Sequence, residues 1–360
     1  MKIAYCTGFW CTNIGNGFFS LGVEYVLRKV FGTENVIVVS DYQTYTNAIG
    51  KRLYPDKKQL EYITDLDVDM VVLAGPVLSR YFLMLWKDIL LKLQAKGIRY
   101  MLLSTGMMKL NTQEADEIRA FFKRCPPYLL MSRERKTFDM FAEQCVNAYD
   151  GICFAFFAPE VNPKATIMGS TPYMVMNFDK IDEPKLWCGN TSNKKADRSF
   201  TLNDKEFHLK YPVFYADHVL KTDRFTDALV YVMSLFPPGH RADEVGGYKI
   251  IRTDHRFHPH YRGKIYRYNN SFVSDIPHPY LALYSNSTCT LSDRVHACAV
   301  TMAYGNSAML FAKTNRVGLL ERVGANEVCH SVVKLDLQRL TKEKEGVIAC
   351  LENIARGKQL

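Results

Sequence analysis

Residues 287–311 read STCTLSDRVHACAVTMAYGNSAMLF, in the order strand, tight turn, buried helix, glycine stop, strand. The helix predicted here, Arg294–Tyr304, is apolar almost all round through Ala297, Cys298, Ala299, Val300, Met302 and Ala303. A helix of that kind belongs in a core. Asp293 and Arg294 stand at the strand-to-helix turn, and His296 follows in the first helical turn. In open parallel α/β sheets, ligands bind outside the carboxyl ends of the strands, where helix N-termini attract anions. A buried helix that opens with Arg and His is therefore a candidate site for a negatively charged ligand. The plainer alternative is an Asp293 N-cap beside a satisfied arginine and histidine.

Upstream, the first half of the chain alternates strands and helices. Short apolar runs predict strands at Ile3–Cys6, Val36–Val39, Met70–Ala74, Tyr100–Ser104 and Tyr128–Met131. Amphipathic segments between them predict helices at Phe18–Val30, Leu78–Lys96, Thr112–Lys123 and Lys136–Gln144, with Gly32 and Gly97 as stops. This alternation implies a parallel sheet covered by helices on both faces. The dinucleotide fingerprint GxGxxG is absent, so no NAD site is inferred. Residues Asn147 to Thr171, with Pro159, Pro163 and Gly169, read as a linker.

The second half opens with a strand at Tyr173–Asn177. The polar, lysine-rich Lys180–Pro212 reads as an insertion or flexible loop. A helix at Asp223–Leu235, a strand at Tyr248–Ile251, a helix near Pro279–Asn286, a last strand at Ser331–Leu335 and a terminal helix at Leu337–Arg356 complete the pattern. The expectation is an α/β protein of two Rossmann-like domains facing a cleft, spanning residues 1–165 and 166–360. A length of 360 residues also favours two cores over one.

The composition is that of an ordinary globular protein, with 48% hydrophobic and 23% charged residues. No apolar run is long enough for a transmembrane helix, and the N-terminal MKIAYC reads as a strand, unlike a signal peptide. A cytoplasmic location is expected. The ten cysteines lack CxxC spacing and read as reduced core residues. The net charge of +9 suits an anionic substrate or peripheral contact with an acidic membrane surface. No nucleic-acid motif accompanies it, so no nucleic-acid partner is expected.

Three further segments are candidate sites. The first βα turn, Cys6–Gly17, offers Asn13, Gly15 and Asn16 for an anion or sugar at a helix N-terminus, or simply a glycine-rich turn. Ser132-Arg133-Glu134-Arg135 follows a strand; Arg133 is the candidate ligand residue there, while a capping box with Ser132 as N-cap, Arg135 in the first turn and Glu134 nearby accounts for Glu134 and Arg135. Residues 254–263, DHRFHPHYRG, carry His255, His258 and His260 with Arg256 and Arg262. Their spacing fits no standard zinc motif, so a basic loop meeting phosphate or hydroxyls through His260 and Arg262 is favoured over a metal site. A solvated loop is the alternative.

Asn13-Ile14-Gly15, Ser132-Arg133, Asp150 and Arg294-Val295-His296 followed by Gly305-Asn306-Ser307 occur in one order. That order resembles the polysaccharide pyruvyl transferase family over about residues 10–325, with the R-x-H helix as its most specific part. The resemblance implies a GT-B-like fold whose terminal helix returns to the first domain. It also implies transfer of pyruvate from phosphoenolpyruvate to two hydroxyls of a sugar or lipid-linked oligosaccharide, with no cofactor or metal. Carried over, Asn13, Gly15, Arg294 and His296 line the donor cleft, with Arg294 and His296 in the catalytic roles. The chain departs from the family pattern at Asn16, where Asp is usual, at Ala74-Gly75-Pro76, and at Ser307, where Pro is usual. A nucleotide-sugar glycosyltransferase of the same fold and a non-catalytic sugar-binding relative remain the alternatives.

Overall fold

The computed structural model describes residues 1–8, 10, 13–41, 57–165, 171–179, 183–189, 195–211, 241–255, 265, 268–311 and 315–358. The first sheet contains β1 (Ile3–Thr7), β2 (Val36–Ser40), β3 (Met70–Ala74), β4 (Arg99–Thr105), β5 (Leu129–Ser132) and β6 (Ala148–Asp150). Its order is β2-β1-β3-β4-β5-β6, and every pairing is parallel. The interior strands β1, β3 and β5 are buried along their whole length, as helices on both faces require.

Four helices connect these strands: α1 (Gly15–Phe31), α2 (Phe82–Ala95), α3 (Thr112–Arg124) and α4 (Arg135–Phe141). Local chemistry sets the start of α3. Asn111 Oδ1 accepts from the Glu114 N–H at 2.8 Å while Glu114 Oε2 accepts from the Asn111 N–H at 2.9 Å, a complete capping box.

The second sheet has the order β11-β12-β7-β14-β15, with β13 beside β12. Its strands are β7 (Tyr173–Asn177), β11 (Glu244–Val245), β12 (Tyr248–Thr253), β13 (Ser271–Phe272), β14 (Cys289–Ser292) and β15 (Ser307–Leu310). The residues 287–311 form the unit β14, α7 (Val295–Ala303), β15, and all nine residues of α7 are buried. A further helix, α6 (His278–Asn286), packs beside α7.

Three readings of the sequence are corrected. The segment taken as a linker forms β6, a 3-10 turn at Phe154–Phe157 and the short helix α5 (Ala158–Val161), with Gly151–Ala158 wholly buried. Its phenylalanines fill the space beneath α1. Gly22 of α1 permits that approach, since a Cβ there would lie 2.0 Å from the Phe154 carbonyl oxygen.

The lysine-rich insertion is a three-stranded antiparallel sheet over much of its length: β8 (Lys185–Cys188), β9 (Arg198–Leu202) and β10 (Lys205–Lys210), in the order β8-β10-β9. Strict alternation turns Phe200, Leu202, Phe207 and Leu209 onto the second sheet, against Met174, Met176, Ile250 and Leu291. The two-residue turn Asn203-Asp204 holds both residues at positive φ, as a tight hairpin requires. The expected strand Ser331–Leu335 is a single antiparallel bridge, Ala308 to Val333. Soon after that bridge Asp336 caps the next helix, accepting from Gln338 and Arg339 at 2.9 and 3.2 Å, so the chain must turn away from the sheet.

That helix, α9 (Leu337–Ala355), which follows the short helix α8 (Gly318–Glu321), packs against α1, and its Lys344 pairs with Glu160 of α5 at 2.9 Å. Tyr304, at the end of α7, donates between the carbonyl oxygens of Ala158 and Asn162 at 2.9 and 2.6 Å. One apolar cluster runs from α1 through Phe154–Phe157 to α7 and α9, joining the two large sheets' halves. The helix expected at Asp223–Leu235 and the boundary expected at 165/166 involve residues outside those described.

Candidate functional site

Side chains from both halves converge on one small cavity, lined by Asn13, Gly15, His255, Arg294, Val295, His296 and Arg316. These residues follow the carboxyl ends of β1, β12, β14 and β15, the position at which parallel α/β sheets take ligands.

The first wall is the start of α1. Asn13 Oδ1 accepts from the Gly15 N–H at 3.2 Å, and the Ile14 N–H donates across the cleft to the His255 carbonyl at 2.7 Å. Gly15 brings the two walls together, because a Cβ there would lie 3.0 Å from His255 Nδ1 and 3.4 Å from His296 Cβ. Phe18 and Phe19, on the first turn of α1, pack on the rings of His255 and His296 with centroids 5.3 and 5.5 Å apart. Asn16 lies one residue further along α1 and outside the cavity lining.

The second wall is the start of α7. The turn is held by Ser292, whose Oγ accepts from the Arg294 N–H at 2.8 Å, so Arg294 and not Asp293 occupies the N-cap position. The Arg294 guanidinium is clamped by Asp179, which follows β7, with Asp293 3.8 Å away. Burial works against its charge, but Asp179 and Asp293 outweigh that and raise its pKa further. The charge of Arg294 is thus already compensated.

His296 is 5% exposed, and its Nε2 has no hydrogen-bond partner among the described residues. Burial drives its pKa well below the usual histidine value, helped by the positive fields of Arg133 and Arg316, then by His255 and Arg294. The ring is neutral at neutral pH.

Arg133 is the unusual residue. It follows β5, is 1% exposed, and its Nε and Nη1 make no hydrogen bond among the described residues. The Phe19 ring, 5.9 Å away, offers partial compensation. Among the described residues no carboxylate pairs with it. A buried cation with no carboxylate paired to it costs several kcal/mol. Its neighbour Ser132 does not cap α4; Ser132 Oγ instead contacts Asp150 at 3.3 Å and Glu134 takes the N-cap position, accepting from Thr137 and Met107. The capping-box expectation fails because Glu134 is drawn inward to the backbone of Met107.

His255 Nε2 lies 2.6 Å from the Tyr284 hydroxyl, which accepts from Asn177 Nδ2 at 2.8 Å. Burial raises the Tyr284 pKa well above its ordinary value and keeps the phenol a donor. His255 entered the sequence reading only within the histidine loop. Arg316 and Asp179 were missed, although both follow strands of the second sheet, and that position is the signal that marks them. Of the remaining candidates, His260 and Arg262, with Arg256 and His258, lie outside the described residues. Among the described residues no group of three His, Cys, Asp or Glu side chains is placed to hold a metal, and no helix is long and apolar enough to cross a membrane.

The fold is shared with solved structures at low identity. A Listeria monocytogenes structure described as a UDP-N-acetylglucosamine 2-epimerase aligns with TM-score 0.50 and 8% identity, over 97% of this chain and 88% of that one. The UDP-GlcNAc 2-epimerase of Methanocaldococcus jannaschii aligns at TM-score 0.49 and 11% identity, over 96% and 92%. MnaA of S. aureus, solved with UDP, aligns at TM-score 0.48 and 11% identity, over 97% and 88%. The first of these likenesses concerns the fold alone, which is GT-B-like. No curated protein sequence matches the chain. The sequence profile of polysaccharide pyruvyl transferases, however, matches residues 13–311. That span begins at Asn13 on one wall and includes Arg133, Arg294 and His296, and the protein belongs to the polysaccharide pyruvyl transferase family, a family of transferases.

Proposed function

We propose that the cavity takes phosphoenolpyruvate and that the protein transfers its pyruvyl group to two hydroxyls of one sugar in a cell-surface polysaccharide or its precursor. The observation that carries this reading is Arg133, a buried guanidinium with unpartnered nitrogens whose positive field acts on the neutral, unpartnered His296. A small dianion satisfies both. Its charge pairs with Arg133 and Arg316, and the same negative charge raises the His296 pKa towards values at which the ring carries a proton.

The chemistry then balances as follows. The protonated imidazole gives its proton to the methylene carbon of the enol, and the adjacent carbon becomes an oxocarbenium-like centre. A sugar hydroxyl adds to that centre and loses its proton. The bond from this carbon to the phosphate oxygen breaks, inorganic phosphate leaves, and the second hydroxyl closes the ketal and releases the second proton. Arg133 and Arg316 hold the phosphate throughout, while His296 cycles between acid and base. Arg294, clamped by Asp179, positions the start of α7 and carries the fixed charge of that wall. The cavity encloses about 20 Å³, the space of a water or two, so the donor is admitted by separation of the two walls.

The test is phosphate release from phosphoenolpyruvate with a panel of free, nitrophenyl and lipid-linked sugars, run beside a panel of nucleotide sugars. In deuterated water each product ketal gains one deuterium in its methyl group, detectable by mass spectrometry. Sugar transfer from a nucleotide sugar, with no phosphate released from phosphoenolpyruvate, would overturn the reading.

A further inference from the structure

The residues that follow β3, β4 and β5 are Gly75, Gly106 and Arg133. Their backbones are stitched together. The Gly106 N–H donates to the Gly75 carbonyl at 3.2 Å, and the Arg133 N–H to the Thr105 carbonyl at 3.0 Å. On the other side of Gly106, the Met107 N–H donates to Thr137 Oγ1 at 3.0 Å and to Glu134 Oε1 at 3.2 Å. β4 reaches this junction through an irregularity. Its register on β5 shifts between Leu102 and Thr105, and Ser104 is held at φ +49°. Bulges re-aim the chain beside active sites, and residues held in sparsely populated backbone regions gather there.

Each glycine receives a side chain. The Phe19 ring, which packs on both His296 and Arg133, lies against Gly75, where a Cβ would stand 2.3 Å from its Cζ. The Arg133 guanidinium lies against Gly106, where a Cβ would stand 2.6 Å from Nε and 3.0 Å from Nη2. Gly106 is not held at positive φ, so alanine suits its backbone and only the new methyl meets an obstacle. Non-bonded atoms settle about 3.5–4.0 Å apart, so the guanidinium would have to retreat by about 1 Å. The backbone is pinned on both sides by the bonds above, which leaves the side chain to move.

We propose that Gly106 is a positioning residue of the donor site: its missing side chain is the seat that aims the Arg133 guanidinium at the donor's phosphate. The inference rests on the proposed function for the role of Arg133. The test uses the whole chain with inorganic phosphate as the probe, its binding followed by titration calorimetry and stability by thermal melt. The proteins compared are the wild type, Gly106→Ala, Arg133→Met and the double variant. Gly106→Ala should bind phosphate about tenfold more weakly, as expected for the loss of one charged hydrogen bond. Its melting point should fall, and that fall should shrink in the Arg133→Met background, where a flexible, unbranched side chain can turn aside from the methyl. Should Gly106→Ala alone fail to fold, a folded double variant would still place the collision on Arg133, and an unfolded one would overturn the proposal. Wild-type phosphate affinity in folded Gly106→Ala, or an equal fall in melting point in both backgrounds, would also overturn it, since Gly106 would then serve the backbone. If Arg133→Met weakens phosphate binding and Gly106→Ala does not, the seat is refuted and the donor reading is spared. Wild-type phosphate affinity in Arg133→Met would refute the donor role of Arg133, and the seat with it.

Discussion

Replacing Arg133 by Met tests whether the buried cation is kept for a ligand or for the fold. The side chain is 1% exposed, with Nε and Nη1 unpartnered, so its charge is a cost to the free protein. Met retains much of the volume and removes the unsatisfied donors, each worth about 1–3 kcal/mol. The variant should therefore be as stable as the wild type or more stable, by about 1–3 kcal/mol. At about 2.1 cal/mol/K per residue over 360 residues, each kcal/mol moves the midpoint by about 1.3 °C, so Tm should rise by about 1–4 °C. Binding should respond in the opposite sense. Loss of a buried, hydrogen-bonded charge partner costs about 2–5 kcal/mol, roughly 30-fold or more in affinity. The assay is a pair of thermal melts, without and with inorganic phosphate or phosphoenolpyruvate. The wild type should be stabilised by either anion and the variant by neither. A variant that melts several degrees lower yet keeps the full anion-dependent shift would show that Arg133 serves the fold, and the argument from the orphaned guanidinium would collapse.

Three other outcomes follow from the same geometry. His296→Gln keeps hydrogen bonding but cannot carry a proton at neutral pH, so turnover should fall by roughly 10²–10⁴-fold with a smaller change in donor affinity; near-normal turnover would move the proton-transfer role to His255. Because burial and nearby cations depress the His296 pKa, anion binding near neutral pH should take up a proton, read by calorimetry in buffers of different ionisation enthalpy; by the same sign, the unfolded chain binds the proton first, so His296 erodes stability as pH falls below its unfolded value of about 6.5, and His296→Gln should flatten that slope. Gly22→Ala drives a methyl to 2.0 Å from the Phe154 carbonyl and should cost about 1–3 kcal/mol; an unchanged melt would mean that the Phe154–Phe157 turn can yield.

The strands of both large sheets were readable because a strand buried on both faces must be a short apolar run, and β3 and β7 are such runs to the residue. The stretch 151–158 misled because Gly and Pro punctuation nearby suggested a linker, while its phenylalanines belonged to the core under α1. The lysine-rich stretch misled because polarity was weighed above period: every second residue of β9 and β10 faces inward, and alternation survives a strongly charged outer face. Arg294 and His296 stood out from local pattern alone, since charged residues opening an apolar helix need a partner or a purpose.

By itself, the sequence determined that the protein alternates strands with helices, that a charged turn opens a buried helix, and that its motifs follow the order of a known transferase family. These are properties of neighbours in the chain, set by side-chain periodicity and by the turn between one strand and one helix. The state of each charge was decided only in three dimensions. Arg294 is compensated by Asp179, 115 residues away, whereas Arg133 is buried with no carboxylate paired to it among the described residues. Whether a cation is spent on the fold or held for a ligand depends on which carboxylates the packed sheets bring within a few ångströms and how much water they exclude, and no local pattern encodes either.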